Sequence, residues 1–204
     1  MKAVRSILRV LHSPTDEFEE VKYRKTWYLP AAGAILIVWF LAAIADRQLT
    51  GFAFNRNNLR ELNILFLFAS TVLLFCLYAA VNWAVTTLLD GKGTLREIFC
   101  ASAYALLPYV ACTLLAVVFS RALILEESAF LTIIRAVGLL WSGWLLLAGL
   151  KVVHEYSLKK TVLSLILTVL GMLFVLFLGV LFFSLLQQLW SFVLSIYNEL
   201  LYRS

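Results

Sequence analysis

The sequence predicts an all-α polytopic membrane protein with five transmembrane helices, an amino terminus in the cytoplasm, a carboxyl terminus outside and an amphipathic helix at each end. Three observations predict it. Of the 204 residues, 63% are hydrophobic and 14% charged, whereas soluble domains carry about 45–50% and about 25%. Five apolar runs, at 27–44, 63–89, 98–120, 130–150 and 161–184, have the length of about 20 residues that a bilayer core of about 30 Å demands. Lipid offers backbone groups no hydrogen bonds, so each run must be a helix. Finally, eleven Lys and Arg residues flank the amino-terminal side and six the other, which sets the orientation by the positive-inside rule. The expected organisation is a cytoplasmic basic arm over 1–26, a five-helix membrane domain over 27–184 and an outer amphipathic helix over 185–204.

In chain order, Val4, Ile7, Leu8 and Leu11 recur at helical spacing opposite Lys2, Arg5 and Arg9. This is the pattern of a helix lying on an anionic inner leaflet. Ser13-Pro14-Thr15-Asp16-Glu17 then supplies a cap, a first-turn proline and acids facing a positive helix end. A second helix starts there and turns Phe18 and Val21 toward the first span. Ala43-Ile44-Ala45 imitates a signal-peptidase site, but the arm before the first span is long for a signal peptide, and an uncleaved anchor is expected. Asp46 and Arg135, near the outer ends of the first and fourth spans, could pair or could reach interfacial water separately.

The first outer loop is rich in asparagine and aromatics, and Asn57 and Asn58 are candidate partner contacts. On the second span Asn82, Thr86 and Thr87 recur on its inner half, where hydroxyls and amides can bond a neighbouring helix. Asp90, Gly91 and Gly93 form the turn after it, since glycine accepts positive φ. Pro108 deprives the Tyr104 carbonyl of its donor and is expected to kink the third span. His154 and Glu155, beside Tyr156, read as interfacial anchors. Beyond the fifth span, residues 161–203 make about 64 Å of helix at 1.5 Å per residue, twice the hydrocarbon thickness. The tail must therefore bend onto the outer surface, leave the membrane or pack on another protein. Trp190 and Tyr197 are its candidate anchors, with Gln187 and Gln188 as polar contacts.

Nothing in the sequence carries catalysis. The span interiors are almost bare of ionisable groups, the usual signposts of ion paths and chemistry. There is no HExxH, GxSxG or phosphate loop. Two histidines and three scattered cysteines offer neither metal spacing nor a disulfide framework. No cofactor and no metal are expected, and nucleic acid is not an expected partner.

HSPTDEFEEVK before the first span, GTLREIFCASAYALLPYV entering a proline-bearing third span, and WSGWLLLAGLKVVHEYSLKKTV across the fourth inner loop together resemble the Yip-domain family. These are membrane proteins named for eukaryotic members that interact with Ypt/Rab GTPases. FNRNNLRELN, NWAVTTLLDGKG and LFFSLLQQLWSFVLSIYNELLYRS are similar to a bacterial branch typical of Gram-positive organisms, whose genes often accompany carbohydrate ABC importers. The resemblance covers nearly the whole chain and implies five spans, a cytoplasmic amino terminus and no catalytic residue. The sequence lacks the long cytosolic region with an acidic-aromatic motif used in trafficking, which speaks against GTPase binding.

The expected function is that of a non-catalytic accessory or scaffold protein of the cell membrane. It would bind other membrane proteins, with the permease of a carbohydrate ABC transporter as the partner the resemblance suggests. The alternative is a small-solute channel or transporter acting as a homo-oligomer, lined by Asn82, Thr86, Thr87 and the polar edge beside Pro108.

Overall fold

In the computed structural model, residues 14–23, 27–55 and 62–203 are described. The expected surface helix over 1–12, the Ser13 cap, Asn57 and Asn58 lie outside them. Among the described residues every regular element is helical, and five helices are long and apolar enough to cross a membrane.

A short helix α1, Pro14–Tyr23, precedes the spans. The first span is α2, Leu29–Leu49, and the second is α3, Ile64–Leu88, which contains a π-helical stretch at Ala69–Leu73. The third is split into α4, Leu95–Ala105, and α5, Leu107–Phe119. The fourth is α6, Ser128–His154, and the fifth is α7, Leu158–Arg203. Several helices outrun the apolar stretches that predict them, and a charged residue in the added turns can be paired. Asp46 in the last turn of α2 is one: the Arg135 guanidinium on α6 donates to its carboxylate at 2.6 Å. Of the two readings the sequence leaves open for this pair, the structure shows the bonded one.

The third span is the hub of the bundle. It packs on α2, α3 and α6, while α7 packs mainly on α3 and α1 packs on α6. Its first half can be so central because it is built from small residues: Cys100, Ala101, Ser102, Ala103 and Ala105 are all buried. Without a hydrophobic drive between helices in lipid, close backbone approach is what holds them together. Around them gather Phe18 of α1, Trp27, Ile98, Tyr104, Leu145, Leu150 and Val153. Phe18 is fully buried, and a side chain at Gly149 would come within 3.2 Å of its ring, so α1 belongs to the core.

The expected disturbance at Pro108 is a break at Leu106 between two helices rather than a smooth bend. The Tyr109 N–H, in the first turn of the second piece, donates across to Ser142 Oγ on α6 at 2.9 Å. A side chain on a neighbouring helix thus takes over part of the satisfaction that proline disrupts.

Candidate functional site: a polar hub and an exposed tail

Two helix ends and one loop meet on the face that carries α1. α6 ends at His154, and the next residue, Glu155, adopts the left-handed conformation at φ 56°. The Tyr156 N–H closes the turn onto the Lys151 carbonyl at 3.1 Å, the six-to-one bond that ends many helices. α3 ends the same way. Its left-handed residue is Asp90 at φ 58°, and the Gly91 N–H donates to the Thr86 carbonyl at 2.8 Å. The positive φ expected of a glycine in this turn therefore falls on Asp90, while no described glycine has one. Aspartate tolerates that region better than most residues.

The glycines serve space instead. A Cβ at Gly91 would lie 2.7 Å from His154 Nδ1 and from the Tyr156 hydroxyl, and 2.8 Å from the Thr86 carbonyl oxygen. A Cβ at Gly93 would collide with Val153 and with the His154 ring. His154 is accordingly not an interfacial anchor. It is 1% exposed, stacks on Tyr156 with ring centroids 5.3 Å apart, and has no hydrogen-bond partner at either ring nitrogen.

Charge closes the hub. Lys22 of α1 donates to the Val152 and Val153 carbonyls at 2.9 and 3.1 Å and to Glu155 Oε1 at 2.9 Å. It thereby supplies a cation to the negative end of α6. Lys92 donates to Glu155 Oε2 at 2.6 Å. The hydrogen bond from Lys92, then that from Lys22, pull the Glu155 carboxyl down to about 2, and the same bond raises Lys92. Tyr156 lies 3.1 Å from the Thr86 carbonyl oxygen and 2.9 Å from that of Leu89, donating to one at a time. Burial raises its phenol, and Lys160 sits 4.4 Å above its ring. The hub therefore ties α1, the 89–94 loop and the α6–α7 connection to one another. It contains acids, bases and aromatics but no nucleophile set beside a base.

The polar residues of the second span divide. Asn82 is fully buried and donates to Thr168 Oγ1 on α7 at 3.0 Å. Thr86 is buried too, its hydroxyl donating to the Asn82 carbonyl at 2.7 Å. Thr87 faces outward and bonds only its own helix, at the Trp83 carbonyl. The three are thus not one line.

The partners of this seam went unread in the sequence. Thr161, Ser164 and Thr168, all fully buried, and then Gly171, whose Cβ would come within 2.8 Å of Val81, run at spacings of three, four and three along α7. That spacing of small residues inside an apolar run was the available signal.

Past this seam α7 changes character. It is 46 residues long and unbroken, and from Leu173 to Tyr202 every described side chain is exposed. Trp190 is 65% and Tyr197 58% exposed; Gln187 and Gln188 are exposed beside them.

A five-span helical membrane protein whose amino-terminal helix is bolted to the spans is the class that this fold and hub define. A profile of the Yip1 domain matches residues 8–179, and the chain belongs to the Yip1-domain family. Searches of curated proteins and of solved structures find no match.

Proposed function

We propose that the protein is a non-catalytic accessory or scaffold of the plasma membrane, with the α1 face in the cytoplasm, and that it works by holding another integral membrane protein. The observation that carries this reading is the exposed half of α7. At 1.5 Å per residue its 46 residues reach about 69 Å, more than twice a hydrocarbon core of about 30 Å. Leu185, Leu186, Leu189, Trp190, Phe192 and Val193 stand exposed on the stretch that outruns the bilayer. A contiguous apolar surface of this kind marks a binding site. Ser184, Gln188, Ser191, Ser195 and Asn198 form a narrow polar seam along it at alternating spacings of four and three, suited to hydrogen bonds with a second helix.

The likeness to a bacterial branch that accompanies carbohydrate ABC importers makes the permease of such an importer the first partner to test. Recovery of the tagged protein from mild-detergent membranes is expected to bring permease or ATPase subunits with it in fixed proportion. Joint replacement Trp190→Ala and Tyr197→Ala is expected to lower that recovery at least about tenfold, in keeping with aromatic anchors worth about 2 kcal/mol each, while insertion is unchanged. Recovery of the chain alone, together with solute flux through vesicles containing it, would replace the scaffold reading with the channel one.

A further inference from the structure

Thr161 and Thr168, fully buried in the seam with α3, stand seven residues apart, and counting on by sevens along α7 gives Val175, Phe182, Leu189 and Ile196. Gly179, Leu186 and Val193 fall between these, so that from Val175 to Ile196 the positions alternate at spacings of four and three. This is the seven-residue repeat by which one helix winds around another. In a straight α-helix such a stripe drifts by about 20° per repeat, and it stays on one face only where the helix supercoils about a partner. None of the six serine, glutamine and asparagine residues from Ser184 to Asn198 falls on it.

The stripe is uncovered. Phe182, Leu186, Leu189, Val193 and Ile196 are between 43% and 60% exposed. A Cβ on Gly179 would meet nothing within 4 Å, which leaves a notch where a second helix backbone can come close. The helix nevertheless runs unbroken to Arg203. Past the bilayer it contains Phe192, Val193, Ile196, Tyr197 and Asn198, all of modest helix propensity, and so short a stretch holds its helix in water through packing rather than by itself.

We propose that the cover is a second copy of this chain, the two α7 helices forming a parallel, left-handed coiled coil over residues 175–196. Three features select a copy over a foreign helix. No charged residue occurs between Val175 and Ile196, so no like-charge contact rejects a helix identical to itself. All copies leave the bilayer on the same side and at the same depth, which sets the two repeats in register and pairs each apolar residue with its own counterpart across a two-fold axis. The repeat also continues an interface that the chain already uses, since Thr161 and Thr168 hold in the α3 seam the positions that Val175 and its successors hold in the pair. Trp190 and Tyr197 flank the repeat at its rim and remain accessible from outside, so the pairing does not depend on the partner assigned above.

The test uses the full chain, purified and reconstituted at low protein density in phosphatidylglycerol and phosphatidylethanolamine vesicles with no other protein present. Single cysteines are placed along the tail for oxidative cross-linking, and the parent chain with its own Cys76, Cys100 and Cys112 sets the background. Leu186→Cys, Leu189→Cys, Val193→Cys and Ile196→Cys are expected to give at least about fivefold more cross-linked dimer than Gln187→Cys, Ser191→Cys and Leu194→Cys, which point away from the partner. Leu189→Glu together with Ile196→Glu is expected to lower the dimer fraction at least about tenfold, because like charges then face one another. Gln188→Glu with Ser195→Glu puts the same charges on the outer face and should leave the dimer intact, which separates a lost contact from a damaged protomer. A monomer at every protein density, equal cross-linking at all the positions, or a dimer indifferent to Leu189→Glu with Ile196→Glu would overturn the proposal. With no other protein in the vesicles, the scaffold reading stands or falls separately, on what the tail recovers from membranes.

Discussion

Glu155 shows how a single residue can be placed against its own preference. Glutamate in the left-handed region is strained by about 1–3 kcal/mol, and many helices put glycine there. Here the carboxylate that comes with the strain is bound by Lys22 and Lys92, which lie 133 and 63 residues away in sequence. Its depressed pKa, about 2 against an ordinary 4.5, fixes the sign of a pH effect. The ionised form is favoured by folding, so its contribution is complete above about pH 4.5 and disappears as the pH falls toward 2. In Glu155→Gln, which keeps the backbone strain and removes the charge, the gap between wild-type and variant thermal midpoints should be full at pH 6 and shrink steadily below pH 4.5. A gap that does not change with pH would mean that the ion pairs contribute nothing.

The neighbouring glycines make a second residue-scale case. Gly91→Ala forces a methyl against the Thr86 backbone and the His154 and Tyr156 rings, an overpacking of about 1–3 kcal/mol. Its midpoint in detergent should drop clearly, while Gly143→Ala, with open space around it, should stay at the wild-type value.

At the scale of elements, the α3–α7 seam joins two helices by one side-chain bond between fully buried groups, Asn82 to Thr168. Such bonds in membranes are worth about 0.6 kcal/mol on average and up to about 2. A double-mutant cycle with Asn82→Ala and Thr168→Val should return a coupling in that range from unfolding in mixed micelles. A coupling near zero would leave the small-residue approach along Thr161, Ser164 and Gly171 as the whole of the seam.

The legibility of these elements followed their physics. Hydrocarbon thickness imposes a minimum apolar length, so the five spans could be read directly, and a helix-breaking imide could be placed at Pro108. The end of α2 was less legible, because Asp46 looks like an interruption until it is seen to be neutralised by Arg135. The hub was not legible as an assembly, although the sequence singled out its turn at Asp90, Gly91 and Gly93 and its residues His154, Glu155 and Tyr156. Its partners sit in three distant segments, and His154 sits in a sequence context that suggests the interface but is roofed by glycines from another loop. Asn82 was legible as glue, while Thr87, one position beyond Thr86 and so on the far side of the helix, was not distinguishable from it by residue type.

For the whole molecule, the distribution of burial divides α7 between two tasks. Its first turns complete the bundle through Thr161, Ser164 and Thr168, all fully buried, and from Leu173 to Tyr202 every described side chain is exposed. Stability and partner binding should therefore separate when the chain is cut. Deletion of residues 185–204 removes no buried described side chain, so the shortened protein should insert and keep a thermal midpoint close to wild type. Its solubility in mild detergent should improve, because about 29 Å of largely apolar helix, at 1.5 Å per residue, no longer needs a cover. Recovery of an associated membrane protein should be lost in the same variant. A cut at Thr161 instead would take away the helix that Asn82 bonds and should unfold the second span from the bundle. If the 185–204 deletion destabilised the protein as much as the longer one, the tail would be held by the protein's own spans, and the exposed half of α7 would be a structural part of the fold rather than its docking surface.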